Sequence, residues 1–287
     1  MLKANIKRRS HRKITLLLIF LLFFAIFLPG EALQSGWRTL ASFPVRRHFF
    51  AWQHLDTTTF QVRYTAADRD LAFWLAQQAE EAAAEVAQFL PHQPQGKPWL
   101  VIAPNQSIIR KVFGWGDGTG ALGVYVSDTI VILSPQAWDW LPYQQRRALF
   151  VQQGPLVHEY THYVLDLLAG GNYPRWFSEG LAQYLEYKVL GYEWKESASS
   201  FQQPLYTLQE LEQQFDQLSN QPLAYRQSLS MVSYLAALRT DDSLRTIIEL
   251  LGQGIPFYQA LEEVYGFSAA SFYVNWYSWQ ENDPRWD

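Results

Sequence analysis

The chain has 287 residues, enough for one large domain or two small ones, and its 48% apolar composition is ample for a hydrophobic core. It contains no cysteine, which excludes disulfides, thiolate zinc sites and a cysteine nucleophile together. Residues 1–32 carry six of the 23 Lys and Arg side chains but only Glu31 among the 27 acidic ones, so the remaining body is acidic, which argues against nucleic acid as a partner.

Lys3, Lys7, Arg8, Arg9, Arg12 and Lys13 precede an apolar run over residues 14–28 that only Thr15 interrupts. Basic residues followed by such a run match a secretory signal or an uncleaved N-terminal membrane anchor. The run is short of the roughly 20 residues that a full span takes. Gly30 and Ala32 supply small residues for cleavage after Ala32, whereas the long basic segment suits an N-terminus kept in the cytoplasm. Both readings stand, and either one carries the body out of the cytoplasm, anchored in the membrane or secreted. Residues 33–57 mix aromatic and basic side chains (Trp37, Phe43, Arg46, Arg47, Phe49, Trp52) and read as a linker packed partly on the body or the membrane surface. His48 and His54 have no ligand spacing to anything nearby.

Residues 60–64 alternate apolar and polar, the pattern of a half-buried strand. Asp68 is placed to cap an alanine- and glutamate-rich helix running to Phe89, with Pro91 and Pro94 ending it. Residues 99–103 form a continuous apolar run, expected as a central strand, and a short helix follows over 107–113. Residues 118–123 formally match the dinucleotide-binding glycine pattern. They lead into β-type runs at 124–126 and 129–133 instead of a helix, so nucleotide binding is rejected and the stretch reads as a flexible approach to an edge strand. A helix is expected over 141–151.

Gly154-Pro155 then restarts the chain ahead of His158-Glu159-Tyr160-Thr161-His162. Two histidines four apart in a helix stand one turn above the other, so both imidazoles can reach one ion, and the glutamate between them is placed to work on a water at that ion. This is the H-E-x-x-H pattern of zinc hydrolases. The helix is apolar on most sides from 156 to 168, the mark of a buried helix, and Gly170-Gly171 stops it. Asp166, one turn on from His162, reads either as a group that holds a ligand or as one that faces solvent near the helix end. Pro174 opens a second helix through Leu190 that carries Glu179, a candidate third ligand. Helical patterns continue over 208–218, 224–239, 243–251, 256–265 and 268–279. The expected fold is α+β: a mixed sheet with an antiparallel edge strand and helices, then an all-helical lobe, with the motif helix at the junction and a cleft over it.

Catalytic zinc sites use three protein ligands and leave a position open to water, and His158, His162 and Glu179 make such a set for one zinc ion per chain. Glu159 is then the general base that takes the water's proton and passes it to the leaving amine. Tyr225, Tyr234 and Arg226 are candidate donors to the oxyanion, with Tyr225 the assigned one. A metal-free polar cluster of the same residues is the plain structural alternative.

The pattern His158-Glu159-x-x-His162 followed by Pro174-x-Trp176-Phe177-Ser178-Glu179-Gly180-Leu181-Ala182 resembles the glutamate-zincin metallopeptidases, and within them the small bacterial peptidase-MA-like domain proteins. The resemblance extends more loosely to Ala224-Tyr225-x-x-Ser228 and Gly266-Phe267-Ser268. It implies a thermolysin-like zincin domain over residues 58–284, with an α/β lobe at 58–170 and a helical lobe at 171–284. It also implies a peptide or protein substrate lying against an edge strand, here residues 121–126. Gln183 stands where relatives often carry an acid bonded to the first histidine, and the strand lacks the glutamate with which related aminopeptidases hold a substrate amino terminus. A non-catalytic, zinc-stabilised binding domain of the cell envelope is the alternative reading, and an aromatic-surfaced envelope interaction module is a third.

Overall fold

The computed structural model of the chain describes residues 41–93 and 96–286. The signal or anchor segment, linker residues 33–40 and Pro94 lie outside the described residues. Strands β1 (Gln53–Asp56), β2 (Gln61–Tyr64), β3 (Trp99–Ala103), β4 (Gly123–Val126) and β5 (Thr129–Leu133) make one sheet in the order β1-β2-β3-β5-β4. The middle three run parallel, and β1 and β4 close the two edges antiparallel to their neighbours. Every residue of β3 and β5 is buried, and all but Thr129 are apolar, because helices cover both faces of a parallel core. The segment read as linker ends sooner than residue 57. Its last residues form β1, and Phe49 is fully buried in the core, because its aromatic side chains have a sheet edge to cover.

Helix α1 (Arg69–Phe89) buries Leu71, Leu75, Ala79, Ala82 and Val86 at three- and four-residue spacing. Asp68 stands at its N-cap position without capping a backbone amide; its carboxylate accepts from the Thr65 hydroxyl instead. Helix α2 (Gln106–Phe113) links β3 to β4, and α3 (Tyr143–Gln153) leads from the sheet to α4 (Leu156–Ala169), the motif helix. Helix α4 packs against α1, β4 and β5 on one side and against α5 (Arg175–Leu190) and α8 (Asp241–Gly252) on the other. The helical region is completed by α6 (Leu208–Gln213), α7 (Gln221–Leu238), α9 (Phe257–Tyr265) and α10 (Ala269–Gln280). The helix expected over 208–218 breaks at Gln214, where a short 3-10 turn, Phe215–Gln217, swings Phe215 inward onto the Tyr225 ring.

The sheet and the helical region share one continuous hydrophobic core, so the motif helix is held from both sides. Helix α5 in turn lies close against α7. A Cβ built at Gly180 would stand 2.3 Å from the Ser228 carbonyl oxygen, so only glycine permits this approach directly beside Glu179. Among the described residues no helix is long and apolar enough to cross a membrane.

Candidate metal centre

Helix α4 begins after Pro155, which takes the N-cap position, and ends at Gly170, whose left-handed backbone lets its N–H close on the Asp166 carbonyl. Its third and seventh residues, His158 and His162, stack one turn apart with ring centroids at 4.8 Å. Helix α5 lies across them and brings Glu179, which is 2% exposed. Glu179 Oε2 is 3.2 Å from His158 Nε2 and Glu179 Oε1 is 3.6 Å from His162 Nε2. A ligand atom from each of the three side chains lies within 4.8 Å of the others.

The other ring nitrogens are held from behind. His162 Nδ1 is 2.8 Å from the Ser178 hydroxyl, and His158 Nδ1 faces Glu186 Oε2 at 3.5 Å. With each Nδ1 occupied, both Nε2 atoms are aimed at the Glu179 carboxylate and the space beside it. Two ligands at about 2.0–2.1 Å from one tetrahedral ion stand roughly 3.3 Å apart. The observed separations of 3.2 and 3.6 Å, one to each oxygen of Glu179, bracket that value, so this donor set could hold a metal ion.

The two glutamates of the site are pushed in opposite directions. Burial raises the Glu159 carboxyl to about 7, with His158 pulling it back only in part. Burial would also raise Glu179, but His162, Arg175 and His158 together outweigh it and hold that carboxyl well below its ordinary range. Burial likewise favours neutral His158, yet its bonds to Glu179 and Glu186 hold its proton well above the usual imidazole range. His162 goes the other way, lowered by burial.

The site opens into a cleft of about 1020 Å³. One wall is the edge strand with its glycine-rich approach, residues 119–125; the other is built from α4, α5 and the segment from Tyr192 to Tyr225. Glu159 is pressed against the strand wall: a Cβ on Gly123 would fall 2.6 Å from its Cγ and Oε1. Tyr125 from β4 stacks on the His162 ring at 6.4 Å and donates its hydroxyl to Asp166 Oδ2 at 2.8 Å. Asp166, half-buried, accepts from Tyr125 and Tyr173 and ties the edge strand to the motif helix.

Of the three oxyanion candidates only Tyr225 lines the cleft. Burial pushes its hydroxyl up, so it stays protonated and able to donate. Tyr234 packs between Phe272 and Trp279 away from the cleft. Arg226, 4% exposed, is consumed by Glu193 and the carbonyls of Ser199 and Arg285. Gln183 does not reach His158; it donates to the Tyr225 carbonyl at 2.8 Å, and Glu186 takes the expected place behind the imidazole.

Two contributors went unread in the sequence although helix spacing reveals them. Arg175, one turn before Glu179, pairs with Glu179 Oε1 and reaches Asp216 Oδ1 at 3.3 Å. Glu186, two turns after Glu179, returns to the same face of α5. Residues 145–282, from α3 through the end of α10, match the family model of the peptidase MA superfamily. The chain carries a peptidase-MA-like domain. No curated protein matches the chain at a significant level. The match starts downstream of the sheet, so the edge-strand wall of the cleft belongs to the part of the chain that the peptidase-MA-like match leaves uncovered.

Proposed function

We propose that the chain is an exported zinc-dependent peptidase, with His158, His162 and Glu179 as the ligands and Glu159 as the general base. The observation that carries this reading is the convergence of three ligand atoms from two helices at the floor of a cleft that Glu159 also lines. A bound zinc ion would supply Lewis acidity, drawing the attacking water's pKa toward about 7 and polarising the scissile carbonyl.

The chain's own residues do the rest. An extended peptide would pair with the outer edge of β4, whose residues bond to β5 on one side only. Glu159 Oε1, wedged against Gly123 at the inner end of that strand, takes the proton of the attacking water and hands it to the departing amine. A carboxyl poised near 7 serves both transfers, while Glu179 stays anionic as a ligand must; two acids with pKa values driven apart are a mark of divided roles. The Tyr225 hydroxyl donates to the developing oxyanion, and Arg175 steadies Glu179. The basic-then-apolar N-terminus supports export and, if it is retained, a membrane anchor.

Metal analysis joined to a peptidase assay on wild type and Glu159→Gln tests the assignment. The expected result is one zinc per chain in both proteins, with turnover lowered about 10²–10⁴-fold or more in the variant. Protein purified without chelator that holds no stoichiometric zinc overturns it. Zinc in both proteins, with thermal stability that depends on it and no turnover in either, points instead to the non-catalytic binding domain.

A further inference from the structure

The segment that leads into β1 has two sides of opposite character. Residues 41–46 are helical, and the chain then turns through 47–52 into the strand. Its inner side is fixed to the sheet. Ser42, Val45 and Phe49 are buried, and Arg46 donates from Nε to the Thr129 hydroxyl at 2.9 Å and from Nη2 to the Asp128 carbonyl at 2.7 Å. The outer side carries Phe43 and Phe50, 56% and 53% exposed, with ring centroids 6.2 Å apart. Phe50 also meets the Trp99 ring edge-on at 5.4 Å, and Arg47 is exposed on the same short segment. A single exposed aromatic residue is ordinary, but an adjoining pair on a fixed backbone is a patch.

Charge and chain length say what covers it. The acidic side chains that follow Glu31 all lie beyond residue 55, whereas residues 32–55 hold Arg38, Arg46 and Arg47 and no acid. The patch is thus the basic end of an acidic body. The apolar run ends at Leu28, and the thirteen residue steps from there to Ala41 reach at most about 45 Å even if fully extended. A tether that short makes surface contact an intramolecular step, so a patch of weak intrinsic affinity is enough. Aromatic rings beside a cation suit the boundary between headgroups and acyl chains. A second copy of the chain would set Arg47 against the same basic segment.

We propose that the outer side of residues 41–51 docks on the surface of the membrane that holds the N-terminal segment, with the Phe43 and Phe50 rings in the interface and Arg47 against anionic headgroups. The docking rests on the retained-anchor reading of the N-terminus and is independent of the metal centre and its chemistry.

The chain has no cysteine, so Ala51→Cys, exposed beside Phe50, supplies a single thiol for an environment-sensitive dye. Val274→Cys, at a position 62% exposed on α10, supplies the reference. The full chain is reconstituted in vesicles of equal parts phosphatidylcholine and phosphatidylglycerol that contain a lipid with a nitroxide at headgroup level. Quenching at position 51 is expected to exceed that at 274 by about threefold or more. The double variant Phe43→Ser, Phe50→Ser should bring it down to the level at 274. Arg47→Gln should lower the docked-to-undocked ratio about fivefold, and less in phosphatidylcholine alone. All three side chains are exposed, so melting temperatures stay near wild type and unfolding does not account for the losses. Equal quenching at the two positions overturns the docking and leaves the anchor standing. Shielding of the dye that grows with the protein-to-lipid ratio and escapes the nitroxide also overturns it, since a second copy then covers the patch. Intact mass of the protein isolated from membranes checks the tether by itself: a chain that begins after Ala32 overturns the anchor reading and the docking with it.

Discussion

The two walls of the cleft are built in opposite ways. On the helix wall each of the three candidate ligands is fixed by a neighbour: Ser178 behind His162, Glu186 behind His158, Arg175 on Glu179. The strand wall offers backbone and little else. Its glycine-rich approach, residues 114–123, is held to the body by Gln106, which bonds both main-chain groups of Ala121, and by Tyr125 at the far end. A preorganised wall suits metal and proton chemistry, where misplacement is expensive; a backbone wall suits an extended peptide of any sequence. Substitutions on the helix wall should therefore change turnover or metal affinity, and those on the strand wall should change substrate handling.

Tyr225 gives the largest expected effect among these, apart from Glu159 itself. Tyr225→Phe keeps the ring contacts with Trp194 and Phe215 and removes only the hydroxyl. Loss of one oxyanion donor should lower kcat about 10²-fold with KM little changed and zinc content intact. An unchanged kcat would remove Tyr225 from the machinery and leave Arg175, which lines the same cleft, as the donor to examine.

Glu186 comes next. Glu186→Gln keeps the shape but withdraws the charge from His158 Nδ1, and zinc affinity should fall about 10–100-fold, read by competition with a chelating dye. Gln183→Leu on the same face should leave zinc affinity near wild type, because Gln183 serves the Tyr225 backbone and not the imidazole. The reverse ranking would show that the residue one turn after the ligand, and not the one two turns after it, supports the histidine.

How far the fold and site were legible follows the same division. The helix wall is governed by local spacing: the H-E-x-x-H pair, Glu179 and the glycine stops are visible because helix period and capping act within a few residues. Strands β3 and β5 were legible for a related reason, since burial on both faces writes a run that is apolar throughout in β3 and after Thr129 in β5. Asp166 was not. Its two partners, Tyr125 and Tyr173, come from a strand 41 residues upstream and a loop seven residues downstream, and no period links them. Strand β1 was missed because an edge strand of four mostly exposed residues, Gln53–Asp56, buries too little to show a pattern. Arg226 and Tyr234 were legible only as residue types near the right helix; which face each one took depended on Glu193, Phe272 and other partners remote in sequence.

Gly123 is where the two walls meet, and it gives the smallest but most discriminating test. A methyl group there would fall 2.6 Å from Glu159 Cγ and Oε1 and 2.7 Å from Pro155 Cβ. Glu159 is flexible enough to swing aside, whereas Pro155, at the start of the motif helix, is not. Gly123→Ala should thus cost about 1–3 kcal/mol of stability through overpacking and lower kcat/KM by about tenfold through displaced Glu159, with zinc affinity unchanged. None of the three ligands is among the atoms that a Gly123 methyl group meets first, so a loss of zinc in this variant would mean that the strand wall also holds the metal. Wild-type turnover in Gly123→Ala, with the stability cost present, would show that Glu159 works from a position that does not depend on the strand.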